Sequence, residues 1–141
     1  MSTSAPQHCV FLDACVVIYY IERSLTLFPA IEAQLFPAQG VGPRVAYSDL
    51  IRLECRVSPL RRGDQALLAR FDAFFGLPDQ RNIALNTAVF DLATELRAMH
   101  RLKTPDALHL SAAIHGGCDA FWTNDDRLQR AAENHLAIVV F

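Results

Sequence analysis

At 141 residues the chain has room for one core of ordinary size, since a single core usually carries about 100 to 200 residues before a chain divides. With 52% hydrophobic and 20% charged residues it buries enough apolar surface to offset its conformational entropy, which excludes a disordered body; the hydrophobic surplus predicts a subunit or partner interface. A net charge of −2 excludes the general positive field of a protein that grips nucleic acid by counterion release alone, so any such contact must be local.

The segment 1–7 reads as a flexible N-terminus to a single domain covering 1–141. His8 to Asp13 (HCVFLD) is a short apolar run ending in a carboxylate and predicts a first strand, followed by a helix over Ala14 to Glu22. Phe28, Ile31, Leu35 and Phe36 fall at helical spacing in a segment that should end near Gly40 and Gly42. Pro43 to Tyr47 predicts a second strand. Ser48 is an N-cap for a helix over Asp49 to Val57, whose apolar stripe is Leu50, Leu53 and Val57 and which Pro59 should prevent from continuing. After the RRGD turn at Arg61 to Asp64, Gly63 to Phe75 is a further amphipathic helix. Asn82 to Leu85 predicts a third strand, and Thr87 to His100 a long helix with Val89, Leu92, Leu96 and Met99 on one side. Thr104 and Pro105 start the next helix as N-cap and first helical residue, and Gly116 and Gly117 close it. Ala120 to Thr123 is a fourth strand, Asp126 to Asn134 a short helix, and Leu136 to Phe141 (LAIVVF) a fifth strand that reads as buried on both faces. The alternation predicts an α/β fold with a mainly parallel sheet of about five strands and helices on both faces.

Cys9, Cys15, Cys55 and Cys118 lack CxxC spacing and sit in apolar stretches, so they read as reduced, buried thiols rather than zinc ligands or a disulfide framework. The longest uncharged apolar run, Ala14 to Ile21, is far short of the ~20 residues of a membrane helix. The start MSTSAPQH shows no basic stretch leading into an apolar one, which predicts a cytoplasmic location. No GxxxxGK[ST], GxGxxG, GxSxG or HExxH motif is present.

In parallel sheets ligands bind outside the carboxyl ends of the strands. Asp13 ends the first strand, Asp125 follows the fourth, Asp106 lies in the first turn of its helix, and Glu54 falls beside the apolar stripe of its own. Singly, Asp13 and Asp125 also read as helix caps, Asp106 as a complement to a helix dipole, and Glu54 as a solvated residue. Together they predict a cluster that needs a cation, because gathered acids repel one another. An all-oxygen donor set suits magnesium or manganese, and such a site suits phosphodiester hydrolysis.

The strand VFLDACVVIYYIE, the helix SDLIRLECRV, the segment LKTPDALHLSAAI and the strand end FWTNDDRL resemble the four acidic blocks of the PIN-domain superfamily, in the order and spacing of VapC-type toxins. The resemblance implies an Mg2+- or Mn2+-dependent endoribonuclease with Asp13 and Asp106 as central ligands, and Glu54 and Asp125 acting directly or through waters. It implies a positioning role for Thr123 and Asn124, an RNA substrate and a cognate antitoxin that lies across an apolar groove; a homodimer is equally consistent with the apolar surplus. Arg97, Arg101 and Lys103, with Arg61 and Arg62, are candidates to meet RNA phosphates or simply form a solvated face. Asp126 reads as a first-turn helix residue, and His109, at Asp106 plus three, as a core or interface histidine. A PIN-type processing nuclease that is not a toxin, and a silent module whose acids are only caps, are the competing expectations.

Overall fold

The computed structural model describes residues 8–141, so the expected flexible segment 1–7 lies outside the described residues. β1 (Cys9–Leu12) is buried along its whole length and passes through Asp13 directly into α1 (Ala14–Ile21), whose first amide donates to Asp13 Oδ1 at 2.8 Å. α2 (Phe28–Leu35) stops well before the glycines expected to end it. After β2 (Arg44–Tyr47), the hydroxyl of Ser48 caps α3 as expected.

α3 (Asp49–Arg62) runs through Pro59 instead of ending before it. The proline ring is buried, and the turn beyond it is closed by Gly63 at φ 69°, with the Asp64 amide donating to the Pro59 carbonyl at 2.9 Å. The buried stripe is Ile51, Cys55 and Pro59, not Leu50, Leu53 and Val57; Leu53 is 54% exposed. Apolar residues occupy two adjacent faces of this helix, and packing against α1 selects the one that includes the proline.

α4 (Gln65–Phe75) is capped by Asp64, whose carboxylate accepts from the Leu67 amide. β3 is only Arg81–Asn82, shorter than expected and starting one residue earlier, and it pairs with Ala46 and Tyr47 of β2. α5 (Thr87–His100) buries Val89 and Leu96 but leaves Met99 exposed. In α6 (Thr104–His115) the cap position falls on Lys103, so Thr104 and Pro105 are both inside the first turn. β4 (Ala120–Thr123) is fully buried. The expected helix after it divides into a 3-10 turn, Asp126–Leu128, and a single α turn, α7 (Gln129–Ala132). β5 (Ala137–Val140) is half-exposed rather than buried on both faces, because it is an outer strand paired only with β4.

The five strands are parallel in the order β3-β2-β1-β4-β5. Strand alternation covers both faces: Tyr47 of β2 packs on Phe75 of α4, whereas Phe11 of β1, one step along the register, stacks on Phe121 and lies against His109 of α6. From β1 the chain builds outward through β2 and β3, then returns to place β4 on the other side of β1. That reversal opens a crevice at the carboxyl ends of β1 and β4.

Candidate metal centre at the switch point

Asp13 leaves β1 at this crevice with both carboxylate oxygens engaged: Oδ1 accepts from the Ala14 amide and Oδ2 from the Thr123 hydroxyl, each at 2.8 Å. The cap reading of Asp13 therefore holds, and the same carboxylate also lies within 4.8 Å of ligand atoms of Glu54 and His109. Thr123, completely buried at the end of β4, also accepts from the Asp125 amide at 3.2 Å, so one hydroxyl ties the two post-strand acids together. Asn124 turns away from the acids and donates to the Tyr19 hydroxyl at 2.9 Å.

Glu54, on the margin of α3, meets His109 of α6, with Nε2 2.6 Å from Oε1. The ring is 2% exposed and among the described residues its buried Nδ1 has no hydrogen-bond partner, so its hydrogen bond is made through Nε2, which donates to the carboxylate. Ligand atoms of Asp13, Glu54 and His109 lie within 4.8 Å of one another. Asp106, in the first turn of α6, has its carboxyl pushed above the ordinary range, chiefly by burial and then by the charges of Asp13 and Asp125. Asp125 is driven the other way: Arg127 donates to it through Nε at 2.8 Å, Nη2 at 2.7 Å and the backbone amide at 2.9 Å, holding it below its usual value.

Thus Asp13, Glu54 and His109 gather at the crevice with Asp106 near enough to feel the charge of Asp13, while Asp125 is at the rim and already paired with an arginine. Asp126 is an exposed first-turn residue, as expected. Arg97 is spent on the fold: its Nε donates to the Leu102 carbonyl at 2.9 Å and pins the turn between α5 and α6. Arg101 and Lys103 in that turn, with His100, Asp106, Asp125 and Arg127, line a cavity of about 210 Å³ beside the acids. His109 and Arg127 are the residues that sequence reasoning missed as site members. The three-residue offset from Asp106 to His109 was a legible signal, but the partner on α3 was not.

The donor chemistry fits a hard divalent cation: ligand oxygens of Asp13 and Glu54 lie within 4.8 Å of each other, and burial beside the charge of Asp13 makes Asp106 reluctant to ionise without a counter-charge. Among the described residues Arg127 is the arginine paired with a rim acid, and it engages Asp125; Glu54 is held by His109 and Asp13 by Thr123.

A comparison with curated proteins finds no match. Among solved structures, the chain is similar to the VapBC2 complex of Rickettsia felis bound to a promoter DNA fragment, at 16% identity and TM-score 0.73, over 94% of this chain and 98% of that one. It is similar to a toxin-antitoxin complex from Klebsiella pneumoniae, at 18% identity and TM-score 0.66 over 93% and 96% of the two chains. A third similar structure is a sarcin-ricin loop cleaving VapC toxin of Mycobacterium tuberculosis, at 15% identity and TM-score 0.64 over 79% and 86%. The PIN domain family matches residues 10–134, from the second residue of β1 to the turn before β5. That span carries every strand end and helix that delivers a rim acid, and the chain belongs to the PIN-domain family.

Proposed function

We propose that this chain is a divalent-metal-dependent endoribonuclease acting as the toxin of a VapBC-like pair, with Asp13, Glu54 and Asp106 as the metal-holding acids and Asp125 as an outer one. The observation that carries the reading is the gathering of Asp13, Glu54 and His109 at the switch point, beside Asp106, whose carboxyl is raised chiefly by burial and then by the charges of Asp13 and Asp125. Mg2+ or Mn2+ held there would offset charge on a phosphodiester and acidify an attacking water. The chain's own part is preorganisation. Thr123 holds Asp13 in one rotamer, His109 holds Glu54, and Arg127 keeps Asp125 ionised. Arg101 and Lys103 give the neighbouring cavity the local positive charge that an acidic molecule needs to receive an RNA backbone. Arg97, committed to its own turn, supports that cavity indirectly.

The toxin role rests on likeness to VapBC complexes across nearly the whole chain. An apolar groove of about 550 Å³, lined by Tyr20, Leu35, Phe36, Val41, Phe74 and Leu77 among others, suits an antitoxin segment. The exposed ridge Leu53, Val57 and Leu60 on α3 suits the homodimer expected from the apolar surplus.

The test is cleavage of total cellular RNA by antitoxin-free protein with Mn2+, with EDTA, and with Asp106→Asn. Discrete fragments that require both the metal and Asp106 are expected. Metal-independent cleavage, or cleavage undiminished in Asp106→Asn, would refute the assignment.

A further inference from the structure

The end of the sheet opposite the acids holds a second cluster. Cys9 opens β1 and Cys118 immediately precedes Asp119 at the entry to β4; the two sulfurs, 109 residues apart in sequence, are 3.6 Å from each other. The backbones that carry them are locked, since Asp119 N donates to the Cys9 carbonyl and Cys9 N to Asp119 Oδ2, both at 2.8 Å. Arg81 reaches from β3 across β2 to put Nη1 3.4 Å from Cys9 Sγ. Among the described residues Arg81 forms no ion pair with a carboxylate, so its guanidinium is directed at the sulfur. His8 Nδ1, 3.5 Å from Asp119 Oδ2, completes the surroundings.

Two thiols that only filled space would need no cation beside them. Here Cys118 donates its S–H to Cys9 and Arg81 adds positive charge, which together hold the Cys9 thiol down at about 6, while the same hydrogen bond drives Cys118 up. One sulfur is arranged as a nucleophile and its neighbour as the thiol that resolves it. Both residues are buried, at 7% and 6% exposure, which excludes a protein oxidant and leaves only a small one.

We propose that Cys9 and Cys118 form a redox-active dithiol that a hydroperoxide converts to an intramolecular disulfide joining β1 to β4. The Cys9 thiolate attacks one peroxide oxygen; the S–O bond forms, the O–O bond breaks, and hydroxide leaves and takes a proton from solvent. Cys118 then gives up its proton and attacks the Cys9 sulfur; the S–S bond forms, the S–O bond breaks, and water departs. The two sulfurs supply the two electrons, and one hydrogen peroxide becomes two waters. The bridge ties together the strands that carry Asp13 and Asp125 at their far ends, and it closes a loop of more than a hundred residues in the unfolded chain, so the oxidised protein melts higher.

The experiment treats the native, fully reduced chain with stoichiometric hydrogen peroxide and follows intact mass and peptide maps. Cys15 is the internal reference, because it is half-buried, and so more open than the pair. Loss of two hydrogens with a Cys9-to-Cys118 linkage is expected, with Cys15 still reduced and a raised melting temperature that reductant reverses. Cys118→Ser should stop at a sulfenic acid on Cys9, trapped by a dimedone probe, and Cys9→Ser should give no trapped adduct at Cys118. Arg81→Met should slow the reaction about tenfold at neutral pH. Oxidation of Cys15 ahead of the pair, or a linkage that forms only in denaturant, would overturn the proposal. None of these readouts depends on nuclease activity.

Discussion

Asp106 and Asp125 lie on one rim and titrate in opposite senses. Asp106 is raised by burial, Asp13 and Asp125, so the folded protein holds its proton more tightly than the unfolded chain does. Its contribution to stability is full below the ordinary carboxylate value and is lost as pH rises through the raised one. Asp125 is lowered by Arg127; what it contributes is present above the ordinary value and lost as pH falls through the lowered one. In EDTA, Asp106→Asn should therefore melt higher than the parent at pH 7, with the advantage shrinking toward pH 4; calorimetry across that range measures it. An advantage that did not change with pH would show that Asp106 ionises in the folded protein as it does in the unfolded chain.

At the scale of elements, α3 and α6 are joined by a polar contact, the 2.6 Å bond from His109 to Glu54. The spacing of Asp106 and His109 put both on one face of α6, yet nothing local announced that Glu54 lay opposite, because the two partners are 55 residues apart. The same blindness misplaced the α3 stripe: apolar residues on two faces satisfy helical periodicity equally, and only the packed neighbour chooses. Replacing His109 by Leu keeps the volume and frees Glu54. The expected outcome is a Mn2+-induced thermal shift reduced by at least half, with His109→Gln, which retains a donor, recovering most of it. An unchanged shift in His109→Leu would show that Glu54 needs no support from α6.

For the whole molecule, a cation that binds only the folded state stabilises it by mass action, about 2.7 kcal/mol at a hundredfold excess over Kd. For a chain of this size that is ~8 °C in melting temperature. Millimolar Mn2+ should raise the melting temperature of the parent by that order, and Asp13→Asn should abolish most of the rise. A full response in the variant would remove Asp13 from the ligand set.

The alternation of strand and helix, the parallel sheet and the positions of Asp13, Asp106 and Asp125 after strands or in a first turn were legible in the sequence, because each depends on residues within one or two turns of one another. Capping by Ser48 and the closure of α6 at Gly116 belong to the same class. What only the tertiary structure decided are the contacts made across the chain: the reversal that brings β4 beside β1, the bond from Thr123 to Asp13, the tie between Glu54 and His109, and the meeting of Cys9 with Cys118. Arg127 on Asp125 is close in sequence, yet its pairing depends on the turn that follows β4. Periodicity and capping are properties of a single element. Which carboxylate faces which, and which thiol finds a partner, follow from strand order, and strand order is set by how buried faces from distant segments fit together.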